Sequence, residues 1–205
     1  MPHIVYLANT SSVKVGITRE TQLPTRWIDQ GATQAKPIAR VQTRYFSGLL
    51  EVLLAKEVGD RTAWQTMLKG NGADQDLEHI RQQLMSSCAQ GIADLQLQHG
   101  EAAFELLEDA PETRISYPVL SWPEKVKAHN FDKQAVVEGT LMGIKGQYLM
   151  LDTGVLNMRK FVATKSKSRW QRDGVTRRFT RDDLPQGLHR TRVCGDDSRF
   201  TGADL

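Results

Sequence analysis

The stretch IVYLANTSSVKVGIT, Ile4 to Thr18, decides how the chain opens. Two short apolar runs rich in β-branched residues flank a polar elbow, Asn9–Ser12. This pattern predicts two antiparallel strands, about His3–Ala8 and Val13–Thr18, joined through turn-forming residues. Side chains alternate between the faces of a strand. With the arms paired in this way, Tyr6 of the first and Lys14 of the second face one side, the side expected to carry Arg26.

Further along, Pro24 suits the first turn of a short helix and Gly31 its end. Lys36–Phe46 reads as a third strand. Ala39, Val41, Thr43 and Tyr45 share one face of it, and Arg40, Gln42 and Arg44 form a basic outer face. SGLLEVLLAKEV, beginning at Ser47 as its cap, is helical. Asp60 is expected to cap another helix that Gly70 closes. A long helix is predicted over about Asp76–His99, where Leu77, Ile80, Leu84, Cys88, Ile92 and Leu95 recur at three- and four-residue spacing before Gly100. Pro111–Lys133 reads as an ordered connection with one extended piece near Arg114–Leu120. The run from Ala135 to Ala163 reads as a three-strand meander with turns at Gly143–Gly146 and Asp152–Gly154.

The fold class is therefore α+β: a ββαβα unit over 1–72, a helical segment over 73–110, and a connection plus small antiparallel sheet over 111–163. A flexible basic tail is expected over 164–205, where no sustained period survives and large apolar residues are few.

The 205 residues, 40% hydrophobic and 25% charged, suit an ordinary globular chain. No apolar run approaches the ~20 residues that span a bilayer, and no signal-peptide pattern precedes the hairpin, so no membrane partner is expected. The two cysteines, Cys88 and Cys194, lie far apart and point to a reducing, cytoplasmic setting. The net charge of +3 is unevenly placed. Thr164–Leu205 holds ten Lys/Arg against six Asp, so the preceding residues are close to neutral. Overall basicity is thus weak support for nucleic-acid binding by the folded part.

Specific strings carry a resemblance. The first 60 residues or so resemble the GIY-YIG nuclease superfamily in its Lys-Val-Gly variant. Ile4-Val5-Tyr6 stands for the first signature and Lys14-Val15-Gly16 for the second. Arg26 matches the superfamily arginine, and Glu51 matches the metal-binding glutamate. VKVGITRETQLPTRWIDQGATQA, YPVLSWPEKV and GTLMGIKGQYLMLDTGVLNMRKF are similar to the uncharacterised bacterial family known as domain of unknown function 2797, over about Pro2–Ala163. Longer members of that family carry a Cys-rich segment ahead of the hairpin. This chain begins at Met1 without it, and no zinc site is expected here.

The superfamily resemblance implies Mg²⁺-assisted phosphodiester hydrolysis of DNA or RNA. Glu51 would hold the hard cation, Arg26 would steady charge on the phosphate, and Tyr6 would position the attacking group. Two departures stand out: Lys14 replaces the second signature tyrosine, and Gln30 sits where many members have a histidine. The cluster then has a second role open to it, binding phosphate without cutting. Arg40 and Arg44 would extend a positive stripe along the nucleic-acid backbone. Each residue also has a plainer reading. Tyr6 can be an aromatic cross-strand neighbour, Glu51 can pair with Arg26 or Arg44, and Arg40 and Arg44 can be a solvated strand face. On that reading the protein is a non-catalytic structural or protein-interaction module whose cluster is an ion pair. At helical spacing Glu51 stands beside Gly48 and Ala55, small residues that leave room for a close approach.

Overall fold

The computed structural model describes residues 1–58, 63–134 and 136–161, together with two strands, 166–169 and 177–182. The fold is α+β, with antiparallel sheets and a run of helices between the third and fourth strands.

Strands β1 (His3–Asn9) and β2 (Val13–Arg19) form the hairpin, with Tyr6 opposite Gly16 and Ala8 opposite Lys14. The short helix α1 (Thr25–Asp29) follows, then β3 (Gln34–Val41), which pairs with the other side of β1. Two later pieces, β4 (Phe104–Leu106) and β5 (Thr113–Arg114), add to β3. The strand order is β2-β1-β3-β4, so β1 is central and β2 an edge.

Because β1 is covered on both faces, its alternate residues divide between two cores. Val5 and Leu7 join Val15 and Ile38 under the helices α2 (Arg44–Leu54), α4 (Leu77–Ser87) and α5 (Ala89–His99). Ile4, Tyr6 and Ala8 pack with Trp27, Ala32 and Ala35 on the α1 side. Each fully buried aliphatic side chain contributes roughly 1.5–3 kcal/mol, which holds helices this short in place.

Three sequence-based expectations change here. The third strand ends at Val41 rather than running to Phe46. Thr43 turns extended, and its hydroxyl accepts the Phe46 amide at 3.2 Å, starting α2. An N-cap satisfies an otherwise orphaned amide, and this overrides the alternation that runs on past Val41. Arg44 consequently belongs to the first turn of α2 and shares no strand face with Arg40. Ser47 is not the cap; it is buried inside the helix, its hydroxyl donating to the Arg44 carbonyl at 2.8 Å. The long helix is two helices meeting at Cys88, whose φ/ψ of −100°/7° break the run. At this junction Leu53 packs so closely that a Cβ on Gly91 would lie 2.7 Å from it. Asp76 caps α4 through the His79 amide, and Gly100, at φ 90°, follows α5. Asp60 lies outside the described residues; helix α3 is Trp64–Met67.

The C-terminal part is a three-stranded antiparallel sheet of β7 (Leu141–Lys145), β8 (Tyr148–Leu151) and β9 (Gly154–Asn157). Its first turn is Gly146-Gln147, with Gly143 inside β7. The strand ahead of it, β6 (Val136–Gly139), leaves this sheet and pairs with β11 (Arg177–Asp182), which pairs in turn with β10 (Ser166–Arg169). Two pieces of the expected tail are therefore strands. Long-range pairing formed them where the local pattern predicts no element, because the edge of β6 supplies hydrogen-bond partners. The rest of 164–205 lies outside the described residues. No described helix is long and apolar enough to cross a membrane.

Candidate functional site: a basic cleft along the edge of β2

A cavity of about 620 Å³ runs along the edge of β2. Tyr6, Lys14, Arg26, Arg44 and Glu51 all line it. These are five of the six residues singled out from sequence; Arg40 is the sixth and lies elsewhere.

Tyr6 forms the floor. Its ring lies over Gly16, where an added Cβ would stand 2.7 Å from Cζ and 2.8 Å from the hydroxyl oxygen. Its other flank meets Trp27 edge-on at 5.9 Å. Gln30, just past α1, donates from Nε2 to the Tyr6 hydroxyl at 2.5 Å. Gln30 is thus a direct partner of the tyrosine. Burial raises the Tyr6 pKa, while the Gln30 hydrogen bond and the nearby Arg26 guanidinium pull it back in part. The phenol stays protonated at neutral pH.

Helix α1 brings Arg26 to the same side. Five residues do not hold a helix by themselves, and the C-terminal part supplies the support. The Tyr117 hydroxyl donates to the carbonyls of Ile28 (3.2 Å) and Ala32 (2.9 Å). The β7–β8 turn presses on the helix end: a Cβ on Gly146 would lie 2.9 Å from the Asp29 carbonyl and the Gly31 amide. Gly31 itself has φ 73° and backs onto Met67.

Helix α2 supplies the remaining pair. Arg44, Gly48 and Glu51 fall on one helix face, and the Arg44 guanidinium lies over Gly48, 3.3 Å from where a Cβ would be. The room that Gly48 leaves is filled by an arginine. Glu51 is half-buried and, among the described residues, is the one carboxylate in the lining. With Lys14, Arg19, Arg26 and Arg44 around it, the cleft is net positive.

Arg40 is held away from the cleft. Its guanidinium pairs with Glu20 through Nε at 3.0 Å and Nη2 at 3.2 Å, and with Glu105 at 3.5 Å. These two acids raise its pKa.

No group of three or more His, Cys, Asp or Glu capable of holding a metal occurs among the described residues. A single glutamate suits a hard cation that keeps most of its waters and takes further oxygens from a bound phosphate, as Mg²⁺ does. The residues present fit Mg²⁺ in that substrate-dependent sense.

One buried cation escaped the sequence reading. Lys145 is fully buried, donating to the Gly70 carbonyl at 2.8 Å with the rings of Tyr117 and Trp122 at 5.6 and 5.1 Å. Desolvation lowers its pKa to about 8. It ties the C-terminal sheet to the segment after α3, and no local pattern marks it, since lysine is ordinarily exposed.

The fold and cleft define an α+β protein with a cationic, single-carboxylate pocket on a sheet edge. The chain belongs to the family described as "Protein of unknown function (DUF2797)", whose profile matches residues 1–165. No curated protein and no solved structure matches the chain.

Proposed function

We propose that this protein binds nucleic acid by taking a backbone phosphate into the cleft of Tyr6, Lys14, Arg26 and Glu51. The observation that supports this most is the convergence itself. Residues from β1, β2, α1 and α2 meet around one cavity with a single acid among several cations. Lys14 and Arg26 supply donors for the phosphate oxygens. The Tyr6 phenol, held by Gln30, can donate to a phosphate oxygen or orient a water beside it. With so few acids present, the pocket attracts the anion first, and the phosphate then helps to recruit a cation to Glu51.

Hydrolysis is the stronger form of the same reading. Mg²⁺ bound at Glu51 would supply Lewis-acid polarisation of the phosphate and a more acidic water. Arg26 would stabilise charge building on the phosphoryl oxygens.

The test is incubation of the full chain with labelled single-stranded, duplex and branched DNA and RNA in Mg²⁺, Mn²⁺ or EDTA, beside Glu51→Gln and Arg26→Gln. Metal-dependent cutting lost in Glu51→Gln would establish a nuclease. Binding lost in Arg26→Gln without cutting in any arm would leave a phosphate-binding site. A Glu51→Gln variant that is only less stable, in a protein that neither binds nor cuts, would sink the proposal and leave the cluster as a structural ion pair.

A further inference from the structure

The cleft does not end at Arg44. A second cavity of about 640 Å³ adjoins it, and the two share Ile17, Thr18, Arg19 and Arg44 in their walls. Beyond the shared wall the second chamber adds His3 and Thr43. Both volumes fall in the range of pockets that take small organic ligands. Among the described residues, no Asp or Glu lines the second chamber.

The shared wall is itself basic. Arg19, exposed at the end of β2, and Arg44, at the start of α2, stand between the chambers. Arg44 is steered over Gly48 on the cleft side of its helix. His3 is nearly buried, its Nδ1 within 2.9 Å of the Met1 carbonyl. A ligand filling both chambers passes cations at each step and meets one carboxylate, Glu51. That charge order suits a chain of anions spaced along a strand, which loses affinity steeply with salt.

We propose that the second chamber is a subsite for the neighbouring phosphate of the same nucleic-acid strand, held by Arg19 and Arg44 beside His3. The inference rests on the phosphate reading of the first chamber and gives it a minimum ligand: two phosphates one nucleotide apart. The strand then runs along the edge of β2, with β1 behind it.

Thr43 provides a clean probe. Its hydroxyl is engaged in capping α2, so the proposal does not ask it to bind. Aspartate and asparagine cap as well as threonine does, so Thr43→Asp keeps the helix and places one negative charge in the second chamber. Thr43→Asn makes the same change in shape without the charge. The ligands are thymidine 5′-monophosphate, thymidine 5′-diphosphate and the 5′-phosphorylated dinucleotide pTpT, titrated into the full chain by NMR or calorimetry with and without Mg²⁺. These probes are short enough that the basic C-terminal residues do not dominate the result.

The expected result is pTpT binding about tenfold or more tightly than the monophosphate. That gain should disappear in Thr43→Asp and survive in Thr43→Asn. Equal binding of pTpT and the monophosphate would overturn the second subsite while leaving the first. A gain that survives Thr43→Asp would place the second phosphate elsewhere. An equal gain from the diphosphate would show that no strand is needed, and would overturn the strand reading. Failure of all three ligands to bind would overturn the phosphate reading of the first chamber, and the inference with it.

Discussion

The ring of Tyr6 lies across Gly16, its cross-strand partner, so closely that even a methyl group there would stand 2.7 Å from Cζ. The glycine is what lets the phenol lie against β2 at the floor of the cleft. A larger residue would push the ring off its seat between Gly16 and Trp27.

Gly16→Ala should therefore cost about 1–3 kcal/mol, the usual range for overpacking a tight site, and should also abolish oligonucleotide binding. Tyr6→Phe separates the two effects. It keeps the ring but removes the acceptor for Gln30, a loss of about 0.5–1.5 kcal/mol. Urea denaturation alongside a binding titration reads both. Unchanged binding in Gly16→Ala would show that the phenol's position is irrelevant.

Gly146 is far from the cleft in sequence, yet its turn seats α1. At φ 58° it has a left-handed conformation, and a Cβ would meet backbone atoms of Asp29 and Gly31 at 2.9 Å. Gly146→Ala is expected to cost about 1–2 kcal/mol from the backbone conformation alone. It should also weaken oligonucleotide affinity by displacing Arg26 and Gln30. A stability loss with full affinity would mean that α1 holds its place without the turn.

Arg40 and Arg44 should behave differently. Arg44→Gln removes a cation from the cleft, and should weaken binding and lower the slope of log K against log salt by about 1. Arg40→Gln touches a guanidinium already engaged by Glu20 and Glu105, and should leave affinity and slope unchanged. Filter binding at several salt concentrations distinguishes them.

Acid should destabilise the protein in part through Glu78. Arg81 first, then Gln82 and Lys36, lower its pKa from 4.5 to about 2 against the opposing effect of burial. A carboxylate with a depressed folded-state pKa stabilises the fold above its unfolded value. The contribution is lost as the pH falls from about 4.5 toward 2. Glu78→Gln should lower the melting temperature at pH 7 and flatten its decline between those limits. Partial exposure of the Glu78 side chain keeps the effect modest.

Local signals were enough for the opening of the chain. A period of two, a polar elbow and a lone glycine place Tyr6 and Lys14 on one face of a hairpin, since alternation and turn chemistry act over a few residues. Helical spacing likewise put Glu51 beside Gly48, and Gly48 is the place where Arg44 lies. The same local logic erred at Lys36–Phe46. There alternation continued past the true end of the strand, and the side chain of Thr43 decided the matter by capping a helix. Other features depended on contacts spanning tens of residues, which no local pattern carries. Gln30 reaches Tyr6 because α1 is pinned from behind by Tyr117 and Gly146. Arg40 lies outside the cleft lining and pairs with Glu20 and Glu105. Lys145 is buried because two aromatic rings and the Gly70 carbonyl enclose its amine. The sequence by itself determined which side chains each short element could present. Only the tertiary structure decided which of them meet, because that follows from packing and electrostatics between elements distant along the chain.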